Sequence, residues 1–164
     1  CNHVAFSTLP PPPLTVGARY LHYWLALSQG NPENDPLVLW GLGAWLLWVV
    51  QHALLIGPFR FLKPESALLN VSDAAWNKKA NLLFLEAPGG VGFSKGPVNA
   101  TDTSTVEDLV FSLLEFYARF PTQKKNDLYL AGHGYAGILV PKLAKLIDER
   151  NQQSHFMKMN LKGN

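Results

Sequence analysis

The sequence predicts an α/β fold with a largely parallel central sheet flanked by helices. Short apolar runs suited to buried strands recur at Leu37 to Trp40, Ala80 to Leu85 and Leu128 to Ala131. Stretches with apolar residues at helical spacing follow the second and third of them. An alternating order of strand, helix, strand, helix, strand is met most simply by right-handed crossovers in one sheet.

The bulk numbers agree with one domain. The chain has 164 residues, 48% of them hydrophobic, enough for a core. Charged residues are only 16% and the net charge is +2, from scattered Lys and Arg. The one dense basic pair, Lys124-Lys125, reads as a solvated loop, so nucleic acid is not an expected partner. Cys1 is alone, which excludes a disulfide framework or a zinc site within the chain. The chain begins with neither Met nor a basic-then-apolar leader and reads as a mature or excised segment.

Residues 1–17 give little structural signal, and Pro10 to Pro13 enforce polyproline II, so they read as a Pro-rich N-terminal arm before a domain at 18–164. Ala18 to Gln29 is apolar and aromatic enough for a strand, and Gly30 to Pro36 is a turn. Leu37 to Trp40 is a buried strand. No Asp, Glu, Lys or Arg occurs from Leu37 to Phe59, long enough to span a bilayer. Gln51 and His52 near its middle argue against a span and for a core helix from about Ala44 to Ile56.

Ala80 to Gly90 is a strand ending in a Pro/Gly-rich loop. In the helix that follows, Ser104 and Glu107 form a capping box. Val106, Leu109, Val110, Leu113, Phe116, Tyr117 and Phe120 share one face, and Pro121 stops it. "DLYLAG" is a strand and "HGYAG" a turn. The last helix carries Ile138, Leu139, Leu143, Leu146 and Ile147 inward and Lys142, Lys145 and Asp148 to Arg150 outward. Pro141 falls in about its first turn. "MKMNLKGN" can begin one more strand.

Four stretches, "LHYWLALSQGNPENDPLVLW", "WNKKANLLFLEAPGGVGFSKG", "FPTQKKNDLYLAGHGYAGILVPKLA" and "MNLKG", together resemble the serine carboxypeptidases, an α/β-hydrolase family. The resemblance implies an α/β-hydrolase-like sheet of which this chain carries the N-terminal part only. It also implies a glycoprotein of the secretory pathway, extracellular or lysosomal/vacuolar. Its relatives remove C-terminal residues from peptides at acidic pH with Ser, Asp and His, and without metal or other cofactor.

The family pattern at the nucleophile is Gly-Glu-Ser-Tyr-Ala-Gly, and this chain reads Gly132-His133-Gly134-Tyr135-Ala136-Gly137. Gly134 therefore holds the nucleophile position without a nucleophile. His133, Tyr135, Gly43 and Glu86 fall on substrate-binding positions. The pattern Trp-Leu-Asn-Gly-Gly-Pro-Gly-Cys-Ser-Ser has its counterpart from Trp40, where Leu42 replaces the Asn and Trp45-Leu46 replace Pro-Gly. Those exchanges remove a carboxylate ligand and crowd the oxyanion amide.

His133 has no Asp or Glu beside it in sequence to orient it as a base. His3, His22, His52 and His155 lack metal-ligand spacing. Gly89, Gly90 and Gly92 make a turn and not a phosphate loop, since no Lys-Ser/Thr follows. Glu86 fits a substrate-region carboxylate and a structural one equally well. Asn70 and Asn99 head Asn-x-Ser/Thr sequons.

The expected function is a catalytically inactive, structural or interaction component that needs a protein partner or the remaining half of the fold. The alternative is part of an active carboxypeptidase acting on peptide C-termini, with its other catalytic residues on another segment or chain.

Overall fold

The computed structural model describes residues 2–9, 19–40, 56–61, 69–97 and 99–164. In chain order the strands are β1 (Asn2–Leu9), β2 (Arg19–Ala26), β3 (Leu37–Trp40), β4 (Phe59–Phe61), β5 (Leu69–Val71), β6 (Asn81–Leu85), β7 (Leu128–Ala131) and β8 (Leu161–Gly163). Among the described residues the two long helices are α1 (Asp102–Arg119) and α2 (Ala136–Asn151).

Six strands form one sheet in the order β1-β2-β6-β3-β7-β8, and β4 and β5 form a separate hairpin. Pairing is antiparallel from β1 to β2 and from β2 to β6, then parallel from β6 through β3 and β7 to β8. The parallel half is what a sheet with helical crossovers requires. β6 connects to β7 through α1, and β7 to β8 through α2.

The side-chain period of two divides each strand between two layers. Leu37 and Leu39 of β3, Leu83 and Leu85 of β6 and Leu128 and Leu130 of β7 join the inner faces of both helices in one buried cluster. Val106, Leu109, Val110, Leu113, Phe116 and Tyr117 supply the α1 side, and Leu139, Val140, Leu143 and Ile147 the α2 side. Each buried Leu or Phe stabilises by about 1.5–3 kcal/mol relative to exposure, so this layer dominates. On the other face Ala26, Leu82 and Phe84 are buried, with Trp24, Val38, Trp40 and Ile56 partly so.

Several expectations change here. The arm at 1–17 showed little structural signal, yet Asn2–Leu9 pairs along its whole length with β2 as an edge strand. Its sequence lacks a clean alternation, and the pairing supplies what propensity does not. The helix expected to start at Ser104 starts earlier. Thr101 is the N-cap: its Oγ1 accepts from the Ser104 amide at 3.1 Å, and Ser104 Oγ accepts from the Thr101 amide at 2.9 Å. A short side chain three residues on closes the box as Glu would.

Pro141 sits inside α2 and deeper than its first turn. Ile138 was expected to face inward but is 47% exposed, while Ala136, Leu139 and Val140 of the same stretch are buried, so the inward face of α2 lies one position away from it. The stretch Leu37 to Phe59 begins and ends in β-strands. No helix among the described residues is long and apolar enough to cross a membrane. Residues 44–55 of the expected core helix, and Pro10 to Pro13, lie outside the described residues.

Candidate functional site

The carboxyl ends of β6, β3 and β7 share one edge of the sheet because these strands are parallel. The turn from β7 into α2 stands there. β7 ends at Ala131, and the chain reverses over Gly132 to Tyr135 before α2 begins at Ala136. Each glycine flanking His133 has its own steric cause. A Cβ on Gly132 would overlap the Cβ of Ala136. Gly134 has φ 66°, in the left-handed region that favours glycine. The Gly137 amide closes the turn on the Gly134 carbonyl at 2.9 Å. An opening of about 380 Å³ lies behind the turn, lined by Leu130, Ala136, Val140, Pro141 and Asn164 among others.

The backbone is thus a sharp strand–turn–helix elbow, with its tip exposed at Gly134. Gly134 itself has no side-chain atom with which to attack a carbonyl. His133 is exposed beside it. Tyr135, half exposed, turns its hydroxyl away to donate to Asp102 Oδ1 at 2.6 Å. Lys142 Nζ donates to the other oxygen, Asp102 Oδ2, at 2.7 Å. One carboxylate at the start of α1 therefore holds two side chains of the elbow and its helix. The Lys142 and Tyr135 donors keep the Asp102 carboxyl below its usual range, and the same Asp102 contact pushes the Tyr135 phenol up.

Glu86 leaves the end of β6 buried, 5% exposed, and curls back over its own loop. Its Oε2 accepts from the Phe93 amide at 2.7 Å and lies 3.2 Å from His22 Nδ1. Any side chain on Gly92 (φ 56°) would strike that carboxylate. Ser94 Oγ donates to the Glu86 carbonyl at 2.7 Å and accepts from the His22 amide at 2.8 Å. The carboxylate is engaged within the 86–94 loop and by His22.

The expected site residues therefore do not all meet. His133, Gly134 and Tyr135 stand together at the elbow, and Glu86 is turned into its loop. Gly43, Leu42, Trp45 and Leu46 lie outside the described residues. Asn70 and Asn99 are both exposed. Among the described residues no group of His, Cys, Asp and Glu could hold a metal ion.

Sequence reasoning did not single out Asp102, Arg19 or Asp108. Arg19 Nη1 lies 3.1 Å from Asp108 Oδ2, with both side chains 6% exposed. The available signal was an Asp placed among the apolar residues of the α1 inner face.

A family model described as serine carboxypeptidase matches residues 14–164. Serine carboxypeptidase-like 26 of Arabidopsis thaliana is 40% identical over 155 residues, covering 89% of this chain and 34% of that protein. The lysosomal protective protein of Mus musculus is 38% identical over 138 residues, covering 79% of this chain and 28% of its own length. The chain thus spans about a third of the length of the curated relatives it matches. A prohormone-processing carboxypeptidase from Saccharomyces cerevisiae superposes with a TM-score of 0.77 at 21% identity, over 97% of this chain and 37% of that one. At that identity the superposition carries the fold, an α/β-hydrolase-like sheet of which this chain is a part.

Proposed function

The chain belongs to the serine carboxypeptidase family, and from that premise we propose that it is a non-hydrolysing member, a structural or interaction component. The observation that carries this reading is Gly134. The elbow is built, its tip is exposed, and the residue there has no functional atom. Loss of a triad serine lowers turnover by about 10⁶, so binding and backbone amides alone would be left. The exchanges at His133 and Leu42 point the same way, since each removes a family ligand for a substrate carboxylate.

The proposed partner is a protein, or the remaining part of the fold, covering apolar side chains exposed here, among them Val71 (63%), Trp76 (49%) and Phe93 (63%). The proposed setting is the secretory pathway, extracellular or lysosomal/vacuolar, with glycans on Asn70 and Asn99. A mass loss at both sites on N-glycosidase treatment of the protein from eukaryotic culture is the expected outcome.

A fluorophosphonate probe tests the central claim. No covalent labelling is expected under conditions that label an active serine carboxypeptidase, and labelling at any residue near the elbow would overturn it. The second reading, part of a working peptide-C-terminus hydrolase completed by another segment or chain, is favoured by one observation. Gly132, closed against Ala136, and Gly134, at φ 66°, form a sharp strand–turn–helix elbow.

A further inference from the structure

The sequons at Asn70 and Asn99 are alike in sequence, and the fold treats them differently. In Asn70-Val71-Ser72, Asn70 lies in β5 opposite Arg60 of β4 and is exposed. Ser72, one residue past the strand, is 1% exposed, and its Oγ is itself shut off from solvent. Its backbone is held as well. The Ser72 amide donates to the Pro58 carbonyl at 2.8 Å, and the Ser72 carbonyl accepts from the Ala75 amide at 3.3 Å. In Asn99-Ala100-Thr101, by contrast, Asn99 and Thr101 are both exposed. Thr101 is the N-cap of α1, and its Oγ1 contacts the amide and the hydroxyl of Ser104 at 3.1 and 3.2 Å. Helix ends fray, so that hydroxyl comes free without disturbing the sheet.

N-glycosylation joins the Asn Nδ2 to the anomeric carbon of a sugar carried on a lipid pyrophosphate. The N–C bond forms, the C–O bond to the pyrophosphate breaks, the lipid pyrophosphate leaves, and the nitrogen gives up one proton to the medium. The requirement for Ser or Thr two residues on means that the transferase also reads a hydroxyl. A sequon whose hydroxyl is buried is therefore unreadable, however exposed its Asn.

We propose that folding closes Asn70 to N-glycosylation and leaves Asn99 open, so that Asn70 acquires a glycan only while β4 and β5 are unpaired. This rests on the secretory setting proposed above. The finished fold leaves the Asn70 side chain in solvent, where a sugar fits; what it withholds is Ser72. The folded chain can carry a glycan at Asn70 and cannot receive one. Presenting Ser72 requires the hairpin to give up the Phe59–Val71, Arg60–Asn70 and Phe61–Leu69 pairs together with the bond to Pro58. At Asn99, fraying of the first turn of α1 suffices. Occupancy at Asn70 thus records how long the hairpin stays open during synthesis, and occupancy at Asn99 does not.

The test compares the whole chain before and after folding. Folded, unglycosylated chain is incubated with a purified oligosaccharyltransferase and a lipid-pyrophosphate-linked oligosaccharide, and occupancy at each Asn is read by peptide mass spectrometry. The same chain behind a cleavable leader is translated into microsomes, where it meets the transferase before it folds. The ratio of Asn70 to Asn99 occupancy should be about tenfold or more lower in the folded chain than in microsomes, since folded molecules expose Ser72 only in rare local openings. A smaller fall overturns the proposal, and so does failure of Asn99 to react in the folded chain. Absence of modification at Asn70 in microsomes overturns it too, because the block would then lie outside the fold. N-glycosidase treatment of the protein from eukaryotic culture judges the secretory reading separately. No mass loss there defeats that reading and leaves the measured ratio to decide this one.

Discussion

The two ends of the parallel strands carry polar groups of opposite kinds. At the amino end, Asn81 is fully buried: its Oδ1 accepts from the Ser28 amide, and its Nδ2 donates to the carbonyls of Pro32 and Asp35. Asn126 Nδ2 donates to the same two carbonyls and Gln123 Nε2 to that of Pro32. Ser28 Oγ and the Asn31 amide both donate to the Asp35 carboxylate. At the carboxyl end Glu86 and Ser94 are buried in the loop after β6 together with His22 of β2, whereas the polar side chains around the elbow, Tyr135, Asp102 and Lys142, are at the surface and Gly134 contributes none. The amino end is a closed network of buried donors and acceptors, whereas the turn of the elbow is set by the backbone needs of Gly132 and Gly134. The difference teaches that the two ends are held by different means, hydrogen bonds at one and steric fit at the other.

The comparison breaks most readily at the amino end. Asn81→Ala leaves the Ser28 amide without its acceptor and takes one of several donors from the Pro32 and Asp35 carbonyls, and should lower unfolding free energy by about 2 kcal/mol, read from urea denaturation. A loss under about 0.5 kcal/mol would mean that the network is incidental. Gly132→Ala forces a methyl into Ala136 and should cost about 2 kcal/mol. Equal stability there would show that the elbow can relax. Gly134→Ser takes on the left-handed backbone penalty at φ 66°, about 1–2 kcal/mol, and should remain unlabelled by fluorophosphonate.

The smallest effect sharpens the contrast between the two surface carboxylates and the buried one. The Ser28 hydroxyl and the Asn31 amide lower Asp35, and Lys142 and Tyr135 lower Asp102. Each contributes stability above its unfolded value that is lost as pH falls through its folded one, whereas burial raises the Asp108 carboxyl to about 6, so its contribution is lost as pH rises. In Asp102→Asn the Tyr135 phenol should ionise closer to its ordinary value, followed by tyrosine absorbance or NMR.

The interior of this fold was legible from periodicity. Leu109, Leu113 and Phe116 of α1, and Leu139, Leu143 and Ile147 of α2, face the core as their spacing predicts. So do the strands at Leu37, Asn81 and Leu128. β1 was not, since an edge strand needs a partner more than a pattern. "GNPENDP" read as a turn, and its role as acceptor for amides far along the chain has no local signature. Glu86 was left open because its partner His22 comes from a different strand. Gly134 as a vacant position was visible only through the resemblance, whereas its positive φ required the structure.

One oxygen at the amino end has a kinetic consequence. The Pro32 carbonyl accepts amide donors that lie 49, 91 and 94 residues further along the chain. Such contacts bring no reward until long loops have closed, so they form late. Interactions absent from the transition state slow unfolding without speeding folding. The loop at Pro32 therefore acts as a catch that sets how long the assembled sheet survives, and Asn126→Ala should show its effect chiefly in the unfolding rate.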